Sequence, residues 1–299
     1  MTNRFQGVIT PILTPYNKDH SIAYDLYLEH AATCLAGGAH YVSPFGTTGE
    51  ALSATRAERM DALDRLVDSG TARPDQLMPG TGLCALEETL ELCSHAVDLG
   101  CAAVMVLPPF FFTNTTDEGL YRYFSQLIEA IGTDAFKMCL YHIPQNTGVG
   151  ISPALAARLN KAFPTVVVAY KDSSGNWDNT QAVIEAAPDI SVFPGSESFL
   201  PKAVRIGGGG CISASCNSNV KAIRALYEMA RSNEWELADA ALVPINVHRK
   251  AIQDGGLIPA LKALKAHQSG DERWLTLRPP LENADPGLGS KLAATLPVG

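Results

Sequence analysis

The strongest constraint on the fold is the regular alternation of short apolar segments with longer segments of helical spacing. Continuous apolar runs such as AAVMVL and TVVVAY are typical of strands covered on both faces, as in parallel sheets. Eight segments of this kind are predicted to be strands, at residues 7–13, 40–44, 77–80, 102–107, 137–142, 166–171, 190–194 and 210–214.

Helical patterns lie between these segments, and several of them carry start signals. Thr55 and Glu58 form a capping-box pattern, in which each side chain bonds to the other's backbone at the helix start. Thr115 and Glu118 have the same spacing, and Ser152 before a proline predicts a further helix start. Three more helices are predicted at 221–232, 234–252 and 257–268, and the small residues from 285 onward are expected to be loosely held.

Strands that alternate with helices over about 210 residues fit a (β/α)8 barrel of typical size. We therefore predict an α/β fold with a catalytic (β/α)8 barrel at residues 1–220 and a C-terminal helical extension at residues 221–299 packed on it. An open, doubly wound sheet is the competing interpretation.

Composition narrows the possible partners. The formal net charge of -8 leaves no basic excess to neutralise phosphates, so a nucleic-acid partner is not expected. No apolar run is long enough to span a bilayer and the first residues lack the blocks of a secretory signal, which predicts a cytoplasmic protein without a membrane partner. The seven cysteines include no C-x-x-C pair and there is no H-E-x-x-H pattern, so neither a metal site nor any other cofactor is predicted.

Lys171 is the first candidate for chemistry. It ends the apolar run that begins at Val166, and barrel enzymes place their chemistry at the carboxyl ends of strands. A Schiff base needs a neutral amine, and burial among apolar strands disfavours the charged form. A lysine at this place could also only mark the strand end and extend its amine to water.

Two further features follow strand ends. Tyr141 ends the preceding predicted strand, so it should lie beside Lys171, where a phenol can donate or accept a proton. The GTTGE sequence at 46–50 follows the second strand, and its glycines allow a backbone path whose N–H groups could hold a carboxylate. Each feature alone could be an ordinary strand end or turn.

Taken in register, these motifs resemble the family of dihydrodipicolinate synthase and N-acetylneuraminate lyase. The matching motifs are GTTGE at 46–50, Y-x-x-P at 141–144 and Lys171-Asp172, and the resemblance runs from about Phe5 to the C-terminal helices. It implies a (β/α)8 barrel, an imine between a lysine and pyruvate, a small keto acid as substrate, and a homotetramer or dimer of dimers.

The resemblance also implies roles for individual residues. Lys171 corresponds to the lysine that forms the imine, and Tyr141 to the general acid/base. Thr47 and Thr48 correspond to residues that bind the pyruvate carboxylate through N–H and hydroxyl groups, and Thr47 is a further candidate proton carrier. The other implied substrate-binding positions are the backbone of Ile212, the distal loop of Gly195, Ser196 and Glu197, and Asn146.

Two positions depart from the pattern of the synthases. Asn146 stands where they usually carry an arginine that grips a second carboxylate, and an amide cannot form that charged bidentate contact. The segment after the fourth strand reads PPFFF at 108–112, without the tyrosine that relays protons in the synthases. The phenylalanines could be core residues or could form an apolar wall against the substrate.

The sequence thus favours an aldolase or lyase of the Schiff-base type that cleaves a 2-keto-3-deoxy sugar acid, or a related hydroxylated 2-keto acid, to pyruvate and an aldehyde. A dehydratase that uses the same imine is the first alternative. A keto-acid sensor without catalysis is another, because a fold alone does not fix a function. Synthesis of 4-hydroxy-tetrahydrodipicolinate is disfavoured by Asn146 and by the missing phenol.

Overall fold

The computed structural model describes residues 5–285 and 287–297, so the predicted domain ends at residues 1 and 299 lie outside the described residues. The chain divides into two compact units. The first comprises the chain up to residue 7 together with residues 74–212, and the second comprises residues 8–73 together with the chain from residue 213 onward. The predicted domain boundary near residue 220 stays a prediction.

Secondary-structure elements alternate along most of the chain. The strands in the described residues are β1 (Gly7–Thr10), β2 (Tyr41–Val42), β3 (Val104–Val106), β4 (Met138–His142), β5 (Val167–Asp172), β6 (Ser191–Pro194) and β7 (Gly210–Ile212). The α-helices there are α1 (Tyr24–Ala36), α2 (Arg56–Asp68), α3 (Leu86–Asp98), α4 (Asp117–Ile131), α5 (Pro144–Thr147), α6 (Pro153–Ala162), α7 (Trp177–Ala186), α8 (Leu200–Arg205), α9 (Cys216–Arg231), α10 (Trp235–Asp254), α11 (Ile258–Ser269) and α12 (Leu288–Ala293). Among the described residues, no helix combines the length and the apolar character that a membrane crossing requires.

The first unit contains a parallel sheet in the order β3-β4-β5-β6. A helix lies between each strand and the next along the chain, which is the connection that parallel neighbours need. The strands are buried almost throughout, as their continuous apolar runs predict.

The predicted strand at 77–80 is reduced to a single parallel bridge between Gly80 and Met105. The Met105 N–H donates to Pro79 O at 2.8 Å, and the Thr81 N–H donates to Met105 O at 3.0 Å. Pro79 has no N–H of its own, so the ladder cannot continue through it as a regular strand. The segment still runs beside β3, but the predicted strand is wrong as a hydrogen-bonded element.

One of the two predicted capping boxes is confirmed. At α2 the Thr55 hydroxyl accepts from the Glu58 N–H and the Glu58 carboxylate accepts from the Thr55 N–H. At α4 the cap is Thr116, one residue later than predicted, and its hydroxyl accepts from the Gly119 N–H. With the helix beginning at Asp117, the Asp117 carboxylate accepts a hydrogen bond from the hydroxyl of Ser152, the N-cap residue of α6, at 2.5 Å.

The second unit pairs β1 with β2 in parallel and adds the C-terminal helices. The predicted helices at 221–232, 234–252 and 257–268 correspond to α9, α10 and α11, although α9 begins earlier and is irregular at Asn219. An apolar cluster within this unit holds α10, α11 and α12 together. Its members include Leu13, Leu26, Ile252, Leu261, Leu264, Trp274 and Leu292.

Part of the stretch expected to be loosely held is helical, because α12 packs against α11. Gly289 makes the packing possible: a Cβ at this position would lie 2.3 Å from the backbone oxygen of Ala263. The small residues that suggest a loose end are therefore the ones that let two helix backbones approach closely.

Candidate active site

Lys171 and Tyr141 lie side by side on neighbouring strands of the first unit. They are register partners in the parallel β4–β5 pair, and the Lys171 Nζ lies 4.1 Å from the centroid of the Tyr141 ring. Only 4% of Lys171 and 3% of Tyr141 is exposed. Within residues 5–285 and 287–297, Lys171 forms no ion pair. The site is thus a buried amine against an aromatic face, without a carboxylate counter-ion.

Asp172 ends β5 and fixes the chain directly after Lys171. Its Oδ1 accepts from the Ser174 N–H at 2.9 Å and from the Ser174 hydroxyl at 2.6 Å. Its Oδ2 accepts from Asn179 Nδ2 at 2.9 Å and from the Thr180 hydroxyl at 2.7 Å. The sequence motif contains Asp172, but its role as the anchor of this turn was missed. The turn residues that follow it were the available signal.

The opposite face of the same strand pair is braced by His142 and Tyr170, because side chains alternate along a strand. Their rings stack at 5.8 Å. The His142 Nδ1 accepts from the Ile151 N–H at 2.9 Å, and the Tyr170 hydroxyl donates to Ile151 O at 2.7 Å. Burial lowers the pKa of His142, with Asp172 opposing the shift. This face positions the strands and offers no second reactive group beside Lys171.

The predicted distal loop follows β6 and packs against the turn after β5. The Gly195 N–H donates to Asp172 O at 2.5 Å, and a Cβ on Gly195 would lie 2.9 Å from the Ser173 Cα, so a side chain here would displace the backbone of the turn. The Ser196 hydroxyl accepts from the Ser198 N–H and starts a short 3-10 helix in which Glu197 is buried. Ile212, also predicted, is the buried last residue of β7.

A cavity of about 650 Å³ lies between the segment after β3 and the segment after β4. Asn146 lines it together with Cys84, Phe110, Phe111, Phe112, Thr113, Gln145, Thr147 and Gly148. Phe111 is 82% exposed and Phe112 is 77% exposed, so the interpretation of this run as core is wrong. All of the lining residues are formally uncharged.

The second unit contains the other predicted motif, the loop at 46–50. Thr48 is buried and Thr47 is half-buried. Phe45 and Glu50, which flank the central residues, have positive φ angles of 52° and 55°. Such conformations cost a non-glycine residue about 1–3 kcal/mol each and persist only where the surroundings impose them. The loop is therefore held in one imposed conformation.

Sequence reasoning missed Lys262, which forms an ion pair with Glu50 inside the second unit. Both side chains are fully buried. Burial lowers the pKa of Lys262 and raises that of Glu50, and the attraction between the two opposes both shifts. The signal was a lysine on the apolar face of α11, where Leu261 and Leu264 are also buried.

Neither unit offers a metal site of the usual composition: in the described part of the chain, no group of three or more histidine, cysteine, aspartate or glutamate side chains could hold a metal ion.

Comparisons with known proteins agree on one family. The model of the dihydrodipicolinate synthetase family matches residues 4–297. The chain is 33% identical over 261 residues to an uncharacterised DapA-like lyase of Chloroflexus aurantiacus, which covers 86% of this chain and 85% of the relative. A dihydrodipicolinate synthase structure from Agrobacterium tumefaciens is 30% identical, covers 97% of both chains and superposes with a TM-score of 0.88.

The fold extends to more distant relatives. A variant of the 2-keto-3-deoxygluconate aldolase of Sulfolobus solfataricus covers 97% of this chain and 94% of its own at a TM-score of 0.84 and 21% identity. These structural similarities confirm the predicted (β/α)8 barrel with C-terminal helices, and the alternative of an open, doubly wound sheet is wrong. The alternative of a keto-acid sensor without catalysis is also wrong, because the members of this family are enzymes. The chain belongs to the dihydrodipicolinate synthetase family and is a lyase of the class I aldolase type.

Proposed function

We propose that this enzyme cleaves a 2-keto-3-deoxy sugar acid, or a related hydroxylated 2-keto acid, to pyruvate and an aldehyde, with Lys171 as the nucleophile. The observation that carries the proposal is the buried Nζ of Lys171 against the ring of Tyr141. An amine without a carboxylate partner has no ion pair to lose when it reacts in its neutral form.

The first half of the reaction forms the imine. The neutral Lys171 amine attacks the C2 carbonyl carbon, and the resulting carbinolamine loses water to give a protonated imine. Tyr141 supplies and removes protons on this path, as a phenol within reach of the reacting atoms can. The positively charged imine then serves as the electron sink for the next step.

The second half breaks the bond between C3 and C4. Tyr141 removes the proton of the C4 hydroxyl, the C3–C4 electron pair moves towards the imine to give an enamine, and the aldehyde leaves. A proton returns to C3, and water hydrolyses the imine to release pyruvate and the free lysine. Thr47 is the second candidate for the proton carrier.

The remaining roles come from the family resemblance and are proposed on that ground. Thr47 and Thr48 bind the keto-acid carboxylate, and the backbone of Ile212 lines the pyruvate pocket. The distal part of the substrate is held by the loop of Gly195, Ser196 and Glu197 and by Asn146.

The cavity lined by Asn146 has no charged side chain, which favours a substrate whose distal part carries no second carboxylate. Likeness to the synthase from Agrobacterium tumefaciens favours the competing activity, condensation of pyruvate with aspartate semialdehyde. We expect this condensation to be very slow. A turnover of about 10 per second or more, typical of a dedicated enzyme, would contradict the proposal.

A panel of 2-keto-3-deoxy acids of different length and stereochemistry tests the reaction itself. Release of pyruvate with an aldehyde supports cleavage. A deoxygenated keto acid without pyruvate would instead identify the dehydratase. Borohydride added with pyruvate should inactivate the enzyme and leave the reduced adduct on Lys171.

We also propose that the chain forms the homotetramer, or dimer of dimers, that the resemblance implies. The exposed rings of Phe111 and Phe112 support an interface, because adjacent apolar side chains seldom stay in water. Light scattering distinguishes a mass of 31.9 kDa from about four times that value.

A further inference from the structure

The last residue of the 46–50 loop carries a buried charge that the proposed mechanism does not use. The Glu50 carboxylate forms an ion pair with the Lys262 Nζ of α11, and both side chains are fully buried. Glu50 also has a left-handed φ of 55°, a conformation that needs support from its surroundings. The side chain and the backbone of one residue are thus constrained together.

The segment after α11 completes the surroundings of this ion pair. The Lys262 Nζ donates to Thr276 O at 3.0 Å, and the Arg278 N–H donates to Glu50 Oε2 at 3.4 Å. The Lys262 Nζ also lies 4.5 Å from the centroid of the Tyr16 ring. Each charge therefore has a second polar partner, which a buried ion pair needs to be tolerated.

The loop is fixed at the neighbouring residue as well. The Thr14 hydroxyl donates to Gly49 O at 2.8 Å, and a Cβ on Gly49 would lie 2.8 Å from Ile12 O. Backbone contacts hold Gly49, the ion pair holds Glu50, and the two threonines directly precede them. Thr48 and Glu50 are thus separated by a single residue, and the contacts of Gly49 and Glu50 together fix the end of the loop.

A buried ion pair is weak support for stability, because the loss of hydration offsets most of the attraction. What such a pair does set is the position of its two groups. Here one of them is the end of the loop that carries Thr47 and Thr48. The geometry thus favours a role in loop conformation over a role in overall stability.

We propose that Glu50 and Lys262 form a positioning pair that sets the carboxylate-binding backbone of Thr47 and Thr48. The inference rests on the proposed function, in which these threonines bind the keto-acid carboxylate. Neither member of the pair touches the substrate. They keep the loop N–H groups at the spacing that a carboxylate requires, so their loss weakens the binding of ketones that carry a carboxylate.

The test is the double variant Glu50→Gln, Lys262→Met, which removes both charges and keeps similar volumes. Trapping by borohydride at Lys171 is measured against pyruvate concentration, and also with hydroxyacetone, a ketone without a carboxylate. We expect the half-saturating pyruvate concentration to rise about tenfold, the effect of losing roughly one hydrogen bond to a charged group. The rate of trapping with hydroxyacetone should stay unchanged.

An exposed ion pair of the same unit provides the matched control. Lys250 and Asp254 lie one turn apart on α10, with 2.7 Å between Nζ and Oδ2. The variant Lys250→Met, Asp254→Asn makes the same kind of chemical change on the surface. It should leave trapping with both ketones at the wild-type level.

An unchanged half-saturating pyruvate concentration in the folded double variant would overturn the proposal. Equal losses with pyruvate and hydroxyacetone would also overturn it, since they indicate general damage. If the double variant does not fold, Glu50→Asp provides a second test, because it keeps the charge on a shorter side chain. It should raise the half-saturating pyruvate concentration and leave trapping with hydroxyacetone unchanged. An unchanged half-saturating pyruvate concentration in this variant would also overturn the proposal. Failure of the proposed function looks different. If Lys171 is not the nucleophile, the wild-type enzyme forms no adduct there, and if the reaction is not cleavage, the panel of 2-keto-3-deoxy acids releases no pyruvate although the adduct still forms.

Discussion

Lys171 and Lys262 share two features: each is buried, and each places its Nζ over a tyrosine ring, at 4.1 Å from Tyr141 and 4.5 Å from Tyr16. Their other neighbours differ. Lys262 forms an ion pair with Glu50 and donates to a backbone carbonyl, whereas Lys171 forms no ion pair among the described residues.

The difference teaches that burial alone does not make a lysine a nucleophile. Lys262 is fully buried, forms an ion pair with Glu50 and donates to Thr276 O, so its ammonium form has two oxygen acceptors. Lys171 lies near a strand end beside a phenol and forms no ion pair among the described residues. We therefore expect catalysis from the first lysine and structural support from the second.

The largest expected effect is on catalysis at Lys171. Lys171→Ala should abolish trapping and lower kcat by about 10⁴-fold or more, because the proposed imine forms on its amine. Lys171→Arg should fail equally, since a guanidinium stays protonated. Mass spectrometry of the trapped wild-type enzyme checks the assignment. An adduct on Lys262, or on a more exposed lysine such as Lys137 or Lys202, would break the comparison.

The next effect concerns Tyr141. Tyr141→Phe keeps the ring that contacts Lys171 and removes the hydroxyl that we propose as the proton carrier, so the imine should still be trapped, though slowly. The value of kcat should fall by about 10²–10⁴-fold, the usual contribution of a positioned acid or base. The melting temperature, measured on the same protein, should stay near the wild-type value. A stable variant with near-normal kcat would leave Thr47 as the proton carrier to examine.

The third prediction concerns the free energy of unfolding and not the rate of catalysis. Lys262→Met leaves the Glu50 carboxylate buried without its counter-ion, which costs about 3–5 kcal/mol for pairs of this kind. Urea denaturation followed by fluorescence should show this loss, and should show much less of it for the Glu50→Gln, Lys262→Met double variant. If the Lys262→Met protein is as stable as the wild type, the ion pair with Glu50 does not distinguish Lys262 from Lys171 in the way that the geometry indicates.

The smallest effect, counted per pH unit, comes from a third buried base, His30 of the second unit. Its Nε2 lies 2.7 Å from Asn217 Oδ1, and burial lowers its pKa from 6.5 to about 3. Between those values the unfolded chain binds a proton that the folded protein does not, so stability should fall as pH falls from 6.5 to 3. The slope from this residue is at most about 1.4 kcal/mol per pH unit.

His30→Asn should remove this contribution to the slope, measured as the free energy of unfolding against pH. The exposed His267 offers a matched control, and His267→Gln should leave the slope at the wild-type value. An unaltered slope in the His30 variant would show that other groups account for the acid sensitivity.

Much of the fold and part of the candidate site could be predicted from the sequence, because the signals are local. Apolar runs mark the strands, and side-chain spacing together with caps such as Thr55 marks the helices. The adjacency of Tyr141 and Lys171 follows from the same rule, since consecutive parallel strands end at one edge of a sheet. The predicted ligand contacts of Thr47 and Thr48 rest on resemblance and stay predictions.

Other features were not predicted from the pattern of apolar and polar residues. Pro79 turns a predicted strand into a single bridge, Gly289 turns a predicted loose end into a packed helix, and Phe111 and Phe112 face solvent. The effect of Pro79 is local, because proline has no N–H, whereas the packing at Gly289 depends on Ala263 of another helix.

The sequence by itself determined the alternating architecture, the lysine at the end of β5 and the phenol beside it, because these depend on the order of residues within single elements. Only the tertiary structure decided which buried lysine has a counter-ion. Glu50 and Lys262 are separated by most of the chain, and a charge pair becomes visible only when folding brings its two members out of water together.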